Sequence, residues 1–368
     1  MKRLVRNLVL LIIILGALGA LLYHSRGALA KQGFSWSTLR DSLEQTRLSL
    51  VLLAALAIYV CYALRAQRWV AFSRYLGRAR FWHVFESTLM GFASLFLLGR
   101  AGEPVRPLLI ARKDRLSIAG TFGIYVLERI FDIAATLALF GLGLLLATSQ
   151  IASGGGDSAV VEARYWGLVV FGVLILVIAF LIYFRLHGAG ALERRLTAWS
   201  GRRGWRHSVA RFFVGVSDGL QAIRTWRDLG EAVGYSVVHW ALVALAFVWV
   251  FQGFGGDLGH LGFADAMLVL GVTMLGAMFQ LPAIGGGAQV ASMVALTGFF
   301  GIDQGPAVAA AIVLWVVTFC AVLVGGIPLL IRQGFSFREL LRLASESKRE
   351  EEMAEEEELK HRTEQVRR

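Results

Sequence analysis

The sequence predicts an all-α integral membrane protein with about six full transmembrane helices, two re-entrant helical hairpins of opposite sense, and both termini cytoplasmic. Three observations lead there. Hydrophobic residues make up 57% of the 368 positions and charged ones only 17%. With a mean hydropathy of +0.62, the chain carries more apolar surface than one water-soluble core can hide. Apolar runs near the roughly 20 residues that cross about 30 Å of hydrocarbon recur along it. Finally, the basic residues behind the net charge of +11 sit in short blocks between those runs. That is the pattern of cytoplasmic loops beside anionic headgroups, not of a nucleic-acid-binding stripe.

Six runs read as full spans: Leu8 to Tyr23, Leu48 to Leu64, Ile118 to Ala147, Tyr165 to Phe184, Ala232 to Gln252 and Pro306 to Ile331. Lys2, Arg3 and Arg6 precede the first. Arg65, Arg68, Arg74, Arg78 and Arg80 follow the second as a loop without acids, and eight arginines fill the loop from Leu186 to Gly230. Lys and Arg mark the inner side, so these segments are cytoplasmic. Ser149 to Arg164 and Gly253 to Phe263 are nearly free of basic residues and face outward.

Two apolar stretches do not fit as simple spans. Phe81 to Leu98 and Ala264 to Phe300 adjoin or contain the glycine- and proline-rich segments GRAGEP and LPAIGGG. The loop charges require the first to enter from inside and return, and the second to enter from outside and return. Opposed hairpins of this kind meet near the midplane of many transporters, where broken helices line a site. The alternative is that each is a pair of short tilted spans.

Three regions follow: a signal-anchor helix (1–30), a membrane domain (31–334) and a charged cytoplasmic tail (335–368). Ala28-Leu29-Ala30 resembles a leader cleavage site, but it lies several polar residues beyond the apolar run, so an uncleaved anchor is the reading here. The tail from Ser345 to Arg368 is dense in Glu, Lys and Arg and suits a solvated helix or a docking partner protein. A homo-oligomer is compatible with the same pattern.

Charge inside an apolar run is the strongest chemical signal, because an ionised group at a helix centre costs about 2.5–3.5 kcal/mol on insertion scales. Glu128, Arg129 and Asp132 lie together on one such run. Their spacing lets them share a face and partly neutralise one another, with one negative charge over. They are either a polar pathway or a self-satisfied structural triad. In GRAGEPVRP, Arg100, Glu103 and Arg106 flank glycines and prolines suited to a helix start, where free N–H groups and forked guanidinium groups bind phosphate. The competing reading is an interfacial loop with snorkelling arginines. Gln280, Gly285, Gly286 and Gln289 surround a glycine bend that lets backbone approach a ligand or another helix. His239 reads as a satisfied core residue.

No P-loop, HExxH, GxSxG or His/Cys cluster occurs, and His83 with Glu86 lacks a third metal ligand. No catalytic residue, cofactor or metal is therefore assigned. Cys61 and Cys320 each fall inside an apolar run, as buried thiols do.

GRAGEPVRPLLIARK followed by VLERIFDIAA resembles the membrane domain of the lysylphosphatidylglycerol synthase/flippase family, whose members carry R-x-GE-x-x-R and then E-R-x-x-D. LPAIGGGAQVASMVALTGFFGID is similar to that family's later PGG-x-G-x-x-E signature. By pattern the resemblance runs from about Arg65 to Arg332. It implies a bacterial inner-membrane protein with re-entrant helices that moves lipids between leaflets. Arg100, Gly102, Glu103 and Arg106 match the first motif, and Glu128, Arg129 and Asp132 the second. The third departs: Ile284 replaces a proline, Ala288 a glycine and Ala291 the usual glutamate, which argues against a cationic aminoacyl lipid as cargo.

The aminoacyl-transfer domain of the family's synthases is not recognisable after Ile331 in this chain, so a non-enzymatic translocase is expected. Its partner would be a membrane lipid with a phosphate-bearing headgroup, and no nucleic acid. An intramembrane enzyme using Glu103 or Glu128 as base, and a non-catalytic scaffold, are the alternatives.

Overall fold

The computed structural model describes residues 36–146, 225–281 and 285–334, together with isolated positions between 165 and 179 and residues 223 and 342. The expected first span, about half of the span from Tyr165 to Phe184, the loop from Leu186 to Arg224 apart from Ile223, and the tail apart from Arg342 lie outside the described residues.

A short helix, α1 (Trp36–Glu44), leads into α2 (Leu48–Ser73). Then come α3 (Phe81–Leu98), a single 3-10 turn (Gly99–Gly102) and α4 (Val105–Asp114). The long helix α5 (Ile118–Leu146) follows, and later α6 (Trp226–Phe254) and the one-turn α7 (Gly256–Gly259). Next, α8 (Phe263–Gly276) and α9 (Gly287–Phe300) are joined through a two-residue antiparallel ladder between β1 (Gln280–Leu281) and β2 (Gly285–Gly286). Last come α10 (Gln304–Trp315), a π-helical turn (Val316–Cys320) and α11 (Val322–Arg332).

Five helical stretches among the described residues are long and apolar enough to cross a membrane: α2, Phe81–Gly102, Gly120–Leu146, α6 and Gln304–Arg332. Four of these coincide with expected full spans. The second span is longer than expected, because nothing between Leu64 and Ser73 breaks the helix: neither Gly nor Pro occurs there. Arg65 and Arg68, expected in a loop, are therefore helical, and both are buried.

Phe81 to Leu98 does not itself turn back. It is one continuous helix, and the return is made by α4. Contacts along the pair show the antiparallel path. At the base Asp114 reaches His83 and the Arg80 N–H, while Lys113 pairs with Glu86. Further along, Gly91 abuts Arg106, and at the tip Gly102 lies against the Ser94 carbonyl with no room for a Cβ.

The second hairpin turns where the sequence places it. Its 14-residue arms are each about 21 Å long, too short to cross alone. Across them the Thr273 and Ser292 hydroxyls are 2.7 Å apart. Near the tip a Cβ on Gly287 would stand 2.1 Å from the Gly276 carbonyl oxygen, so glycine is required for the approach.

Helix α5 shows that the hairpins have opposite sense. The first has its base beside the start of α5, where Gly120 packs on Leu76. The second has its base beside the end of α5, where Gly143 meets Leu268 and Leu144 joins Phe299 and Phe300. The tips meet between: Arg100 Nη2 donates to the Met278 carbonyl at 2.7 Å.

Candidate functional site

Helix α5 carries Glu128 and Asp132 one turn apart, on the face turned toward α2 and the first hairpin. Glu128 lies ten residues, or about 15 Å, into the helix. Helix α2 presents Arg65, Arg68 and Trp69 at three- and four-residue spacing, continuing the face that buries Ile58, Cys61 and Tyr62. Arg106 comes from the first turn of α4, and Ser236 and His239 from α6.

These side chains converge on one buried network. Glu128 Oε1 accepts from Arg65 Nη1 at 2.8 Å, Arg68 Nη2 at 3.0 Å and Arg106 Nη2 at 3.2 Å. Glu128 Oε2 accepts from Trp69 Nε1 at 2.8 Å and lies 2.9 Å from Arg106 Nη1, off the hydrogen-bonding angle. Asp132 takes Arg65 Nη1 on Oδ2 at 2.8 Å and Arg68 Nη2 on Oδ1 at 3.1 Å. Arg68 also donates to Ser236 at 2.7 Å, and His239 Nε2 lies 3.4 Å from Arg65 Nη2. Aromatic faces complete the enclosure, with the Arg106 guanidinium 4.8 Å over Trp69 and both Arg65 and Arg106 5.5 Å from Phe92.

A second layer adjoins it. Arg129 lies over the Tyr125 ring and donates to its hydroxyl at 3.1 Å, and that hydroxyl donates to Glu103 Oε2 at 2.6 Å. Across both layers four guanidinium groups face three carboxylates, leaving one positive charge over among the described residues. The triad on α5 is thus not self-neutralising. Glu128 and Asp132 spend their charge on arginines of other elements, and the surplus is positive, not negative. Arg68 Nε and Arg106 Nε find no partner among the described residues.

The other expected site residues are divided. Arg106 belongs to the buried network, whereas Arg100 is exposed at the hairpin tip, so the two do not close on one ligand in this conformation. On the second hairpin the Gly286 N–H donates to Gln289 Oε1 at 2.7 Å, a cap on the first turn of α9. Gln280 pairs through its backbone with Gly286, and Leu281 with Gly285. This tip carries Met278, whose carbonyl Arg100 reaches, and Phe279, which is 80% exposed. His83 and Glu86 are engaged with Asp114 and Lys113. Arg65, Arg68, Trp69, Ser236 and Tyr125 were not singled out as site residues from sequence; the available signal was the unbroken helical phase through Leu64.

A family model, the lysylphosphatidylglycerol synthase TM region, matches residues 7–326. The chain belongs to that family. No curated protein matches it. The match covers both hairpins and every element that supplies the charged network, so the network lies wholly within the family region. Membership of this family makes the chain a multi-pass membrane protein of lipid modification or translocation.

Proposed function

We propose that the protein translocates an anionic, phosphate-bearing lipid or glycolipid between the leaflets of a bacterial inner membrane, with its arginine-rich end and both termini cytoplasmic. The observation that carries this reading is the buried network with its surplus positive charge, placed where a re-entrant hairpin meets three long helices. Buried ionisable groups in a membrane are costly and mark transport paths. Arginine forks recognise phosphate, and the unspent Arg68 and Arg106 N–H groups are donors available to a headgroup. Arg106 rides on the hairpin, so movement of α4 would exchange its Glu128 contact for a lipid phosphate. Arg100 and the exposed apolar residues at the meeting tips suit the boundary between headgroup and chain.

An intramembrane enzyme using Glu128 as base has less support, since arginines and Trp69 already occupy both of its oxygens. The test is lipid redistribution by purified protein in vesicles carrying a quenchable phospholipid analogue, with mass spectrometry of the recovered lipid. The reading expects chemically unchanged lipid to cross, and Arg106→Ala to slow crossing about tenfold, the equivalent of about 1.4 kcal/mol. Unaltered crossing in Arg106→Ala removes the headgroup role. A chemically altered lipid replaces transport with catalysis.

A further inference from the structure

The last apolar stretch is long enough for one span, yet its backbone is not one helix. Between α10 and α11 the Ala321 N–H reaches back five residues to the Val316 carbonyl at 2.8 Å, and the Val324 N–H reaches back only three, to Ala321. The four-residue bond that would join Gly325 N–H to the Ala321 carbonyl is replaced by a side chain from another helix. Tyr59 on α2 donates its hydroxyl to that carbonyl at 2.8 Å and accepts from the Gly325 N–H at 3.0 Å. One turn along α2, Tyr62 donates to the Thr318 carbonyl. A side chain inserted in the ladder and a π turn are both recognised causes of helix bending, and π turns recur at functional sites.

The two sides of this joint belong to different hairpins. Helix α10 packs chiefly on α9 of the second hairpin, and on α1 and α6. Helix α11 packs chiefly on α3 of the first, where Gly326 lies so close to Leu89 and Ala93 that a Cβ would stand 2.6 Å from both the Leu89 carbonyl oxygen and the Ala93 Cβ. The joint also touches the charged network: Tyr62 packs on Phe92, whose ring lies under Arg65 and Arg106.

We propose that the final span is a jointed lever whose halves move with opposite hairpins, and that Tyr59 is the removable bridge holding the joint closed. A hydroxyl bridging one N–H and one carbonyl can be withdrawn without breaking a continuous ladder, because the four-residue bond can form in its place. Closing that bond straightens the span and turns α10 relative to α11. The first hairpin, with Arg106, then shifts against the second, and the Arg100 contact at the tips is released. This inference concerns the motion of the chain and goes beyond the transport reading, since it requires no particular cargo.

The experiment is a set of distance measurements between spin-label pairs on full-length protein in lipid nanodiscs, with Cys61→Ala and Cys320→Ala as background. Labels at the exposed positions Trp82 (α3) and Ile312 (α10) span the joint. Pairs at Trp82 with Val324 (α11), and at Val294 (α9) with Ile312, stay within one half each. In Tyr59→Phe the spanning pair is expected to gain a second distance population shifted by about 5 Å, one helical turn, while both within-half pairs keep theirs. An unchanged spanning pair overturns the lever, as does equal broadening of all three pairs. Should Tyr59→Phe not fold, Tyr62→Phe is read in the same way, with a smaller second population expected. Because the readout is a distance, loss of lipid transport with the lever intact refutes the transport reading alone.

Discussion

Both hairpins close on glycine, at Gly91 and Gly102 in the first and at Gly276 and Gly287 in the second, but the first adds charged ties. In the first, charged side chains tie the arms together and to their neighbours: Asp114 holds His83 at the base, Lys113 holds Glu86, and Arg106 enters the network around Glu128. In the second, backbone lies against backbone. Gly276 and Gly287 bring the arms together, one hydroxyl pair crosses between them, and Gln289 caps the returning helix. Electrostatic ties are strong yet exchangeable, because a phosphate can replace a carboxylate on arginine. Glycine contacts offer no such exchange, since they rest on shape alone. The proposed transport would use this contrast, with the first hairpin as the moving, ligand-answering element and the second as the shaped stop against which it closes.

The largest effect is expected from the carboxylate at the centre of the network. Glu128→Ala leaves three buried arginines facing Asp132 alone, and breaking a buried ion pair from one side costs about 3–5 kcal/mol. Thermal unfolding in detergent is expected to show a severe loss of folded protein. Arg68→Met, which removes the surplus charge, is expected to be far milder, and equal damage from the two would mean that the surplus is unimportant. Next comes Gly287→Ala, whose Cβ would meet the Gly276 and Phe279 carbonyls. Overpacking of this kind costs about 1–3 kcal/mol, and cysteine labelling is expected to open the second hairpin while leaving Trp82→Cys labelling unchanged. Asp114→Asn weakens the base of the first hairpin by about 1 kcal/mol, visible as a lower unfolding midpoint. Smallest in stability is Arg100→Gln, which removes a single exposed contact with Met278 and should stay within about 0.5 kcal/mol. Vesicle assays are nevertheless expected to show altered lipid crossing, and an unchanged rate would separate tip contact from transport.

Much of this was legible in sequence because lipid imposes simple rules. Helix length and apolar continuity located α2, α5, α6 and the final stretch. Short apolar arms around Gly-rich bends foretold both hairpins, although the first turns only after Leu98, at Gly99–Gly102. The site was legible in half. Glu128 and Asp132 stood out because acids are conspicuous in an apolar run, whereas Arg65 and Arg68 did not, since arginine just past an apolar segment reads as a loop by default. Their burial depends on acids some sixty residues away on α5.

By itself the sequence determined that this chain is helical, spans a membrane several times and places charge at depth, because each follows from local composition and the cost of exposing backbone or ions to hydrocarbon. Only the tertiary structure decided which charges meet, which sign is left over, that the hairpin tips touch, and that a tyrosine hydroxyl interrupts the last span. Those outcomes depend on distances between residues far apart in the chain, and ion pairing, close glycine packing and hydroxyl insertion each act only over a few ångströms.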